Sequence, residues 1–164
     1  MGVQEIILTA KVTKPALYHY FGSKRGLIES LFQETVEYLL TALRDLPHPR
    51  DTFEQSIEAL VEVYFAFIRN NPAFYRLQLA LYFAPAESEG FKAAGKYYVI
   101  QRELAIAILR SQLKRQRKRS SECYATTLIG LINSFAAAYL NEEITLTTRV
   151  RKNLTRQFLY GIAR

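Results

Sequence analysis

The chain has 164 residues, of which 49% are apolar, and a formal net charge of +7. That length and apolar share suit one or two domains with a substantial core, and the positive balance favours polyanionic partners. A single cysteine excludes an intramolecular disulfide framework. It also fits a reducing compartment. Met1 is not followed by a charged region and an apolar signal core, and no apolar run approaches the ~20 residues that span a bilayer. A soluble cytoplasmic protein without a membrane partner is the expectation.

The first informative stretch is Val3–Ala10, a short helical pattern, followed by the Ala10-Lys11-Val12 link. That link has the length of a helix-turn-helix corner. Thr13 then suits an N-cap, and Pro15 falls in the first helical turn, where its missing N–H costs nothing. Gly22 can take the left-handed conformation that ends this helix, and Ser23 can cap the next. Between the caps Leu17 and Phe21 stand four apart and face a core. Lys14, Tyr18, His19 and Tyr20 point largely elsewhere, which makes a short, basic, aromatic surface for presentation to a partner.

Residues 3–32 resemble the DNA-binding segment of the tetracycline-repressor (TetR) family of transcriptional regulators. The resemblance rests on Val12-Thr13-Lys14-Pro15-Ala16-Leu17-Tyr18-His19-Tyr20-Phe21 with Ser23, Lys24 and Leu27. It matches the pattern V-[ST]-x-x-x-[LI]-Y-x-[YH]-F-x-[ST]-K, which in that family marks the recognition helix and the start of the next one. The resemblance implies a helix lying in the major groove of double-stranded DNA. Thr13, Lys14 and Ala16, on the helix opened by Pro15, would face bases. Lys14 would donate to guanine O6 and N7, and Ala16 would touch a thymine methyl. Tyr18 and Tyr20 match phosphate-contacting hydroxyls, with His19 exposed beside them. Lys24 would hold a phosphate at the N-terminus of the next helix. The plain alternative is an ordinary helical corner with Leu17, Tyr18 and Phe21 buried. Two departures from the family stand out. Lys11 occupies the corner position where the family carries glycine, and the chain begins at the second helix of the motif. A head lacking the family's first helix is therefore expected.

The helix starting at Ser23 runs to about Leu43, with Leu27, Leu31, Thr35, Tyr38, Leu39 and Ala42 at helical spacing. Leu46-Pro47-His48-Pro49-Arg50 breaks it. This divides the chain into a head with its connecting helix, residues 1–43, and a helical ligand-binding and dimerisation body, residues 44–164. Asp51, with Glu54 three residues on, reads as a capping box. The broad apolar face of Phe53, Ile57, Leu60, Val61, Tyr64, Phe65 and Ile68 follows, extended by Val63 and Phe67 so that the helix is surrounded. Asn71-Pro72 reads as a cap and a first-turn proline. The next helix, with Phe74, Leu77, Leu79, Leu81, Tyr82 and Phe83, is apolar nearly all round, and residues 84–90 form a loop. A long helix from Phe91 or Ala94 passes Tyr97, Tyr98, Ile100, Leu104, Ile108 and Leu113. It ends in the cations of residues 114–119, read as a solvated helix end opposing the negative dipole there or as a second phosphate-binding patch. Ser120 or Ser121 caps the following helix, striped by Tyr124, Leu128, Leu131, Ile132, Phe135 and Tyr139. The last helix carries Leu146, Val150, Leu154, Phe158 and Ile162. The fold class is all-α: a helix-turn-helix head and a helical body.

No H-x-x-x-H, C-x-x-C, carboxylate cluster or glycine-rich phosphate loop offers a metal or nucleotide site. No cofactor is expected. His48 reads as a solvated linker residue and Cys123 as a small buried one, so no constellation supports catalysis. By resemblance the chain is a homodimer reading a palindromic operator, paired through its last two helices at Leu128, Leu131, Ile132, Phe135, Tyr139, Val150, Leu154 and Phe158. The alternative is that these side chains pack inside one chain. Also by resemblance the body holds a small apolar or aromatic ligand, for which Tyr64, Phe67, Phe74, Tyr82, Phe83, Tyr97 and Tyr98 are the candidates; the plain alternative is that they fill the core. The function implied is a ligand-released repressor. The rival is a dimerisation or ligand-binding module that does not grip DNA tightly.

Overall fold

The computed structural model describes residues 22–46, 52–113 and 120–161. They form helices α1 (Lys24–Arg44), α2 (Phe53–Asn70), α3 (Pro72–Tyr82), α4 (Glu89–Gln112), α5 (Ser121–Leu140) and α6 (Thr148–Tyr160), with no strand among the described residues. The fold class is all-α, as the helical periodicity implied. Residues 1–21, the linker at 47–51, the basic run 114–119 and Ile162 lie outside the described residues.

Two compact units emerge. One takes its described residues from 22–38 and Ala73–Val99, the other from 39–72 and 100–161. Helices α1 and α4 each contribute residues to both. In the first unit Leu27, Ile28, Phe32, Val36, Tyr75, Leu77, Ala93, Ala94 and Tyr97 are buried. In the second, α2 packs on α6 and, less extensively, on α5. There Ile57, Leu60, Val61, Tyr64, Phe65, Phe67 and Ile68 of α2 are nearly inaccessible, each large apolar side chain worth about 1.5–3 kcal/mol of burial.

Several local expectations are corrected. The buried face of α1 runs through Leu27, Ile28, Phe32, Val36, Leu39, Leu40 and Leu43, whereas Tyr38 is 71% exposed. The stripe chosen from Leu31, Thr35 and Tyr38 lies one residue round the helix from the true one, because Ile28-Phe32-Val36 offers more apolar volume at the same spacing. The capping box of α2 is uncharged and one residue later than Asp51 and Glu54. The Gln55 N–H donates to Thr52 Oγ1 at 3.2 Å, and the Thr52 N–H donates to Gln55 Oε1 at 2.8 Å. Asn71 closes α2: its Nδ2 and backbone N–H both donate to the Phe67 carbonyl, at 3.1 and 2.9 Å.

Helix α3 buries Tyr75, Leu77 and Gln78 and leaves Tyr82 exposed, and Phe83 just past its end is exposed too. Helix α4 starts at Glu89, earlier than expected, because Ser88 Oγ accepts the Phe91 N–H at 3.2 Å. Ser120 makes no side-chain cap bond to α5. Ser121 is buried and takes a 2.8 Å hydrogen bond from Arg110 Nε. Cys123 is exposed rather than buried. Helix α5 ends in a Schellman arrangement: Glu143 N–H donates to the Ala138 carbonyl at 2.9 Å and Glu142 N–H to that of Tyr139 at 3.0 Å, with Glu142 at φ 63°. Leu146 precedes α6 instead of lying on it. Thr147 caps α6 by accepting the Val150 N–H at 3.3 Å.

Candidate functional site

The start of α1 is built by two small residues. Gly22 has φ 68°, in the left-handed region that favours glycine. Ser23 Oγ accepts the Gly26 N–H at 3.0 Å, and the Ser23 carbonyl accepts the Leu27 N–H at 3.0 Å. This cap leaves Lys24 and Arg25 exposed on the first turn, where N–H groups point outward. Arg25 Nε donates to Glu29 Oε1 at 2.8 Å, and its Nη1 lies 4.0 Å from Glu89 Oε2. Glu89 Oε1 is 3.8 Å from Lys92 Nζ. The hydrogen bond with Glu29 raises the Arg25 pKa, and the same bond holds the Glu29 carboxyl below its ordinary value.

Under these pairs the helices approach closely. A Cβ on Gly90 would fall 2.6 Å from Leu81 Cδ2 and 3.7 Å from Ile28 Cδ1, so the α4 backbone rests directly on side chains of α3 and α1. Tyr97 adds a 3.4 Å hydrogen bond from its hydroxyl to the Glu29 carbonyl. Of the DNA-contacting candidates, Lys24 is described. Thr13, Lys14, Pro15, Ala16, Tyr18, His19 and Tyr20 lie outside the described residues.

The aromatic candidates divide between the units. Phe74, Tyr97 and Tyr98 gather around Phe32, with ring centroids 4.9, 5.3 and 6.1 Å away. Tyr82 joins through Tyr98 at 5.2 Å and touches Phe83 at 5.1 Å. Most of these rings meet edge to face, a favoured aromatic geometry. Tyr98 donates its hydroxyl to the Gln78 carbonyl at 2.9 Å. Burial first, and the charge of Tyr82 second, push the Tyr98 pKa up, so it remains a donor. Phe32, the centre of the cluster, was missed because the face of α1 was read one residue off. Tyr64 and Phe67 belong to the other unit, both buried. There the Tyr64 hydroxyl donates to Gln101 Oε1 at 3.3 Å, and burial raises its pKa.

The dimer candidates sort by exposure. On α5, Leu128 and Ile132 are fully buried with Ala125 and Ala136, while Leu131, Phe135 and Tyr139 form a part-covered stripe beside them. On α6, Leu154 is buried, and Val150 and Phe158 are part-covered. Helix α5 is long and apolar enough to cross a membrane, contrary to the expectation from sequence, with 28% of its most apolar window buried. Helix α6 is clamped to α2 by ion pairs that sequence reading did not find. Arg151 Nη1 lies 2.8 Å from Glu62 Oε2, and its Nη2 lies 3.8 Å from Glu58. Glu62 also takes Arg69 Nη2 at 2.8 Å, and Arg69 Nη1 donates to the Leu146 carbonyl at 3.0 Å.

Residues 1–31 match the family described as bacterial regulatory proteins, tetR family. A stretch of 76 residues is 36% identical to the HTH-type transcriptional activator FasR of Mycolicibacterium smegmatis. The N-terminal segment of the chain is thus similar to the TetR family. The FasR match takes in 46% of this chain and 35% of the relative's length. The TetR family regulator PfmR from Thermus thermophilus shares the fold, with a TM-score of 0.70 at 17% identity over 100% of this chain and 90% of that one. The matched segment runs through the first turns of α1. Lys24, Arg25, Ile28 and Glu29 thus fall within the matched residues.

Proposed function

We propose that the chain is a homodimeric transcriptional regulator that binds palindromic double-stranded DNA in the cytoplasm. It would be a repressor released by a small apolar or aromatic ligand. The observation that carries this reading is the TetR-family match over residues 1–31. It supports a head at residues 1–43, with Thr13, Lys14 and Ala16 toward bases and Tyr18, Tyr20 and Lys24 on phosphates, and a body at residues 44–164. Dimerisation is supported by α5, where the apolar side chains of Leu131, Phe135 and Tyr139 are only part-covered. Pairing would fall on the part-covered Leu131, Phe135 and Tyr139, with Val150 and Phe158. The aromatic candidates are the weaker part of the ligand reading, since Phe74, Tyr97 and Tyr98 already pack on Phe32.

The test is fluorescence anisotropy on a palindromic duplex selected from a randomised pool. Lys14→Ala relaxes preference at one base position by about 1–3 kcal/mol, while Lys24→Gln weakens all sequences alike and lowers the salt slope by about one. Unchanged binding for both folded variants overturns the assignment of these residues. The relative from M. smegmatis carries the name activator, so a promoter–reporter assay decides the sign of regulation.

A further inference from the structure

Lys24 and Arg25 stand side by side and exposed on the first turn of α1, within the family's matched region. Two adjacent cations at a helix start would ordinarily both count as phosphate contacts. Their surroundings differ. Arg25 is engaged by Glu29 at 2.8 Å on its own helix and faces Glu89 at 4.0 Å on the first turn of α4. Glu89 is itself shared with Lys92 at 3.8 Å. The same place is where α4 comes close to α1, with the bare Gly90 backbone on Leu81 and Ile28. Glu29 takes a hydrogen bond from the guanidinium, Glu89 adds a charge contact at 4.0 Å, and together the carboxylates offset the charge that a phosphate would need.

We propose that Arg25 is a positioning residue for DNA binding: it ties the start of α1 to the first turn of α4 through Glu89 and does not contact phosphate. The idea rests on the DNA-binding reading above. Losing the tie loosens the start of α1 without changing how many phosphates the protein neutralises. Arg25 and Glu89 therefore act as one unit, and Lys24 acts alone.

The experiment measures affinity of the full protein for the selected palindromic duplex across a salt series. The variants are Arg25→Gln, Glu89→Gln, the double substitution and Lys24→Gln, with thermal midpoints recorded for each. Arg25→Gln and Glu89→Gln should each weaken binding by about two- to fivefold, the size of an exposed ion pair. The double variant should be no weaker than either, and all three should keep the unsubstituted salt slope. Lys24→Gln should flatten that slope by about one. The proposal is overturned if Arg25→Gln flattens the slope as Lys24→Gln does, or if Glu89→Gln strengthens binding. It is equally overturned if the two single effects simply add or if neither variant differs from the unsubstituted protein. Absence of salt-dependent binding by the unsubstituted protein overturns the DNA-binding reading itself, and this one with it.

Discussion

Glu142 holds a left-handed backbone, φ 63°, to close the end of α5. An L-residue there carries a strain of about 1–2 kcal/mol that glycine does not. Glu142→Gly is therefore expected to stabilise the protein by about 1 kcal/mol, less the extra freedom glycine gives the unfolded chain. The check is a urea midpoint that rises with an unchanged slope. Thr155 on α6 is fully buried, and its hydroxyl has no hydrogen-bond partner among the described residues. Valine keeps the branched shape and removes the stranded dipole, so Thr155→Val should gain about 0.5–1 kcal/mol by the same measurement. A loss there would mean that the hydroxyl is satisfied in solution.

Among helices, the α2–α6 clamp has a definite pH signature. Burial alone would raise the Glu62 pKa, but hydrogen bonds from Arg69 and then Arg151 outweigh it and hold the carboxyl below its ordinary 4.5. A group depressed in the folded state contributes stability above its unfolded pKa and loses it as pH falls through the folded one. Thermal stability should thus decline as pH drops below about 4.5, and Glu62→Gln should flatten that decline, which scanning calorimetry across acidic buffers would show. The clamp was invisible in the sequence because Glu62 and Arg151 are 89 residues apart. The helices themselves were legible, since Pro72, Ser23 and the apolar spacing each act locally. What failed was choosing between adjacent faces. Tyr38 and Phe32 both fit helical spacing on α1, and only packing partners such as Phe74 and Tyr97 decide between them. The family likeness of the N-terminal string was legible because such motifs sit in contiguous residues. The ion pair of Arg25 with Glu89 was not, because Glu89 lies on another helix.

At the level of the whole molecule, the question is what covers α5. Its buried positions, Ala125, Leu128, Ile132 and Ala136, repeat at three- and four-residue steps, and Leu131, Phe135 and Tyr139 follow the same rhythm on the adjacent side. If a second copy covers that side, Leu131→Glu with Phe135→Glu places two carboxylates where apolar area of about 1.5–3 kcal/mol per side chain is buried. The dimer constant should then weaken by at least about a hundredfold. Sedimentation equilibrium should report a monomer with unchanged helical circular dichroism. Operator affinity should fall with it, because one head would then engage one half-site. A variant that remains dimeric would move the interface elsewhere.

Cys123 is the chain's one cysteine, and it lies exposed in the first turn of that same helix. Its thiol can therefore take a nitroxide or fluorophore without any engineered substitution. In a twofold assembly each copy would carry one probe, and a single interprobe distance would report how the pair is arranged. Tracking that distance as DNA or a small molecule is added turns an unremarked side chain into a built-in ruler.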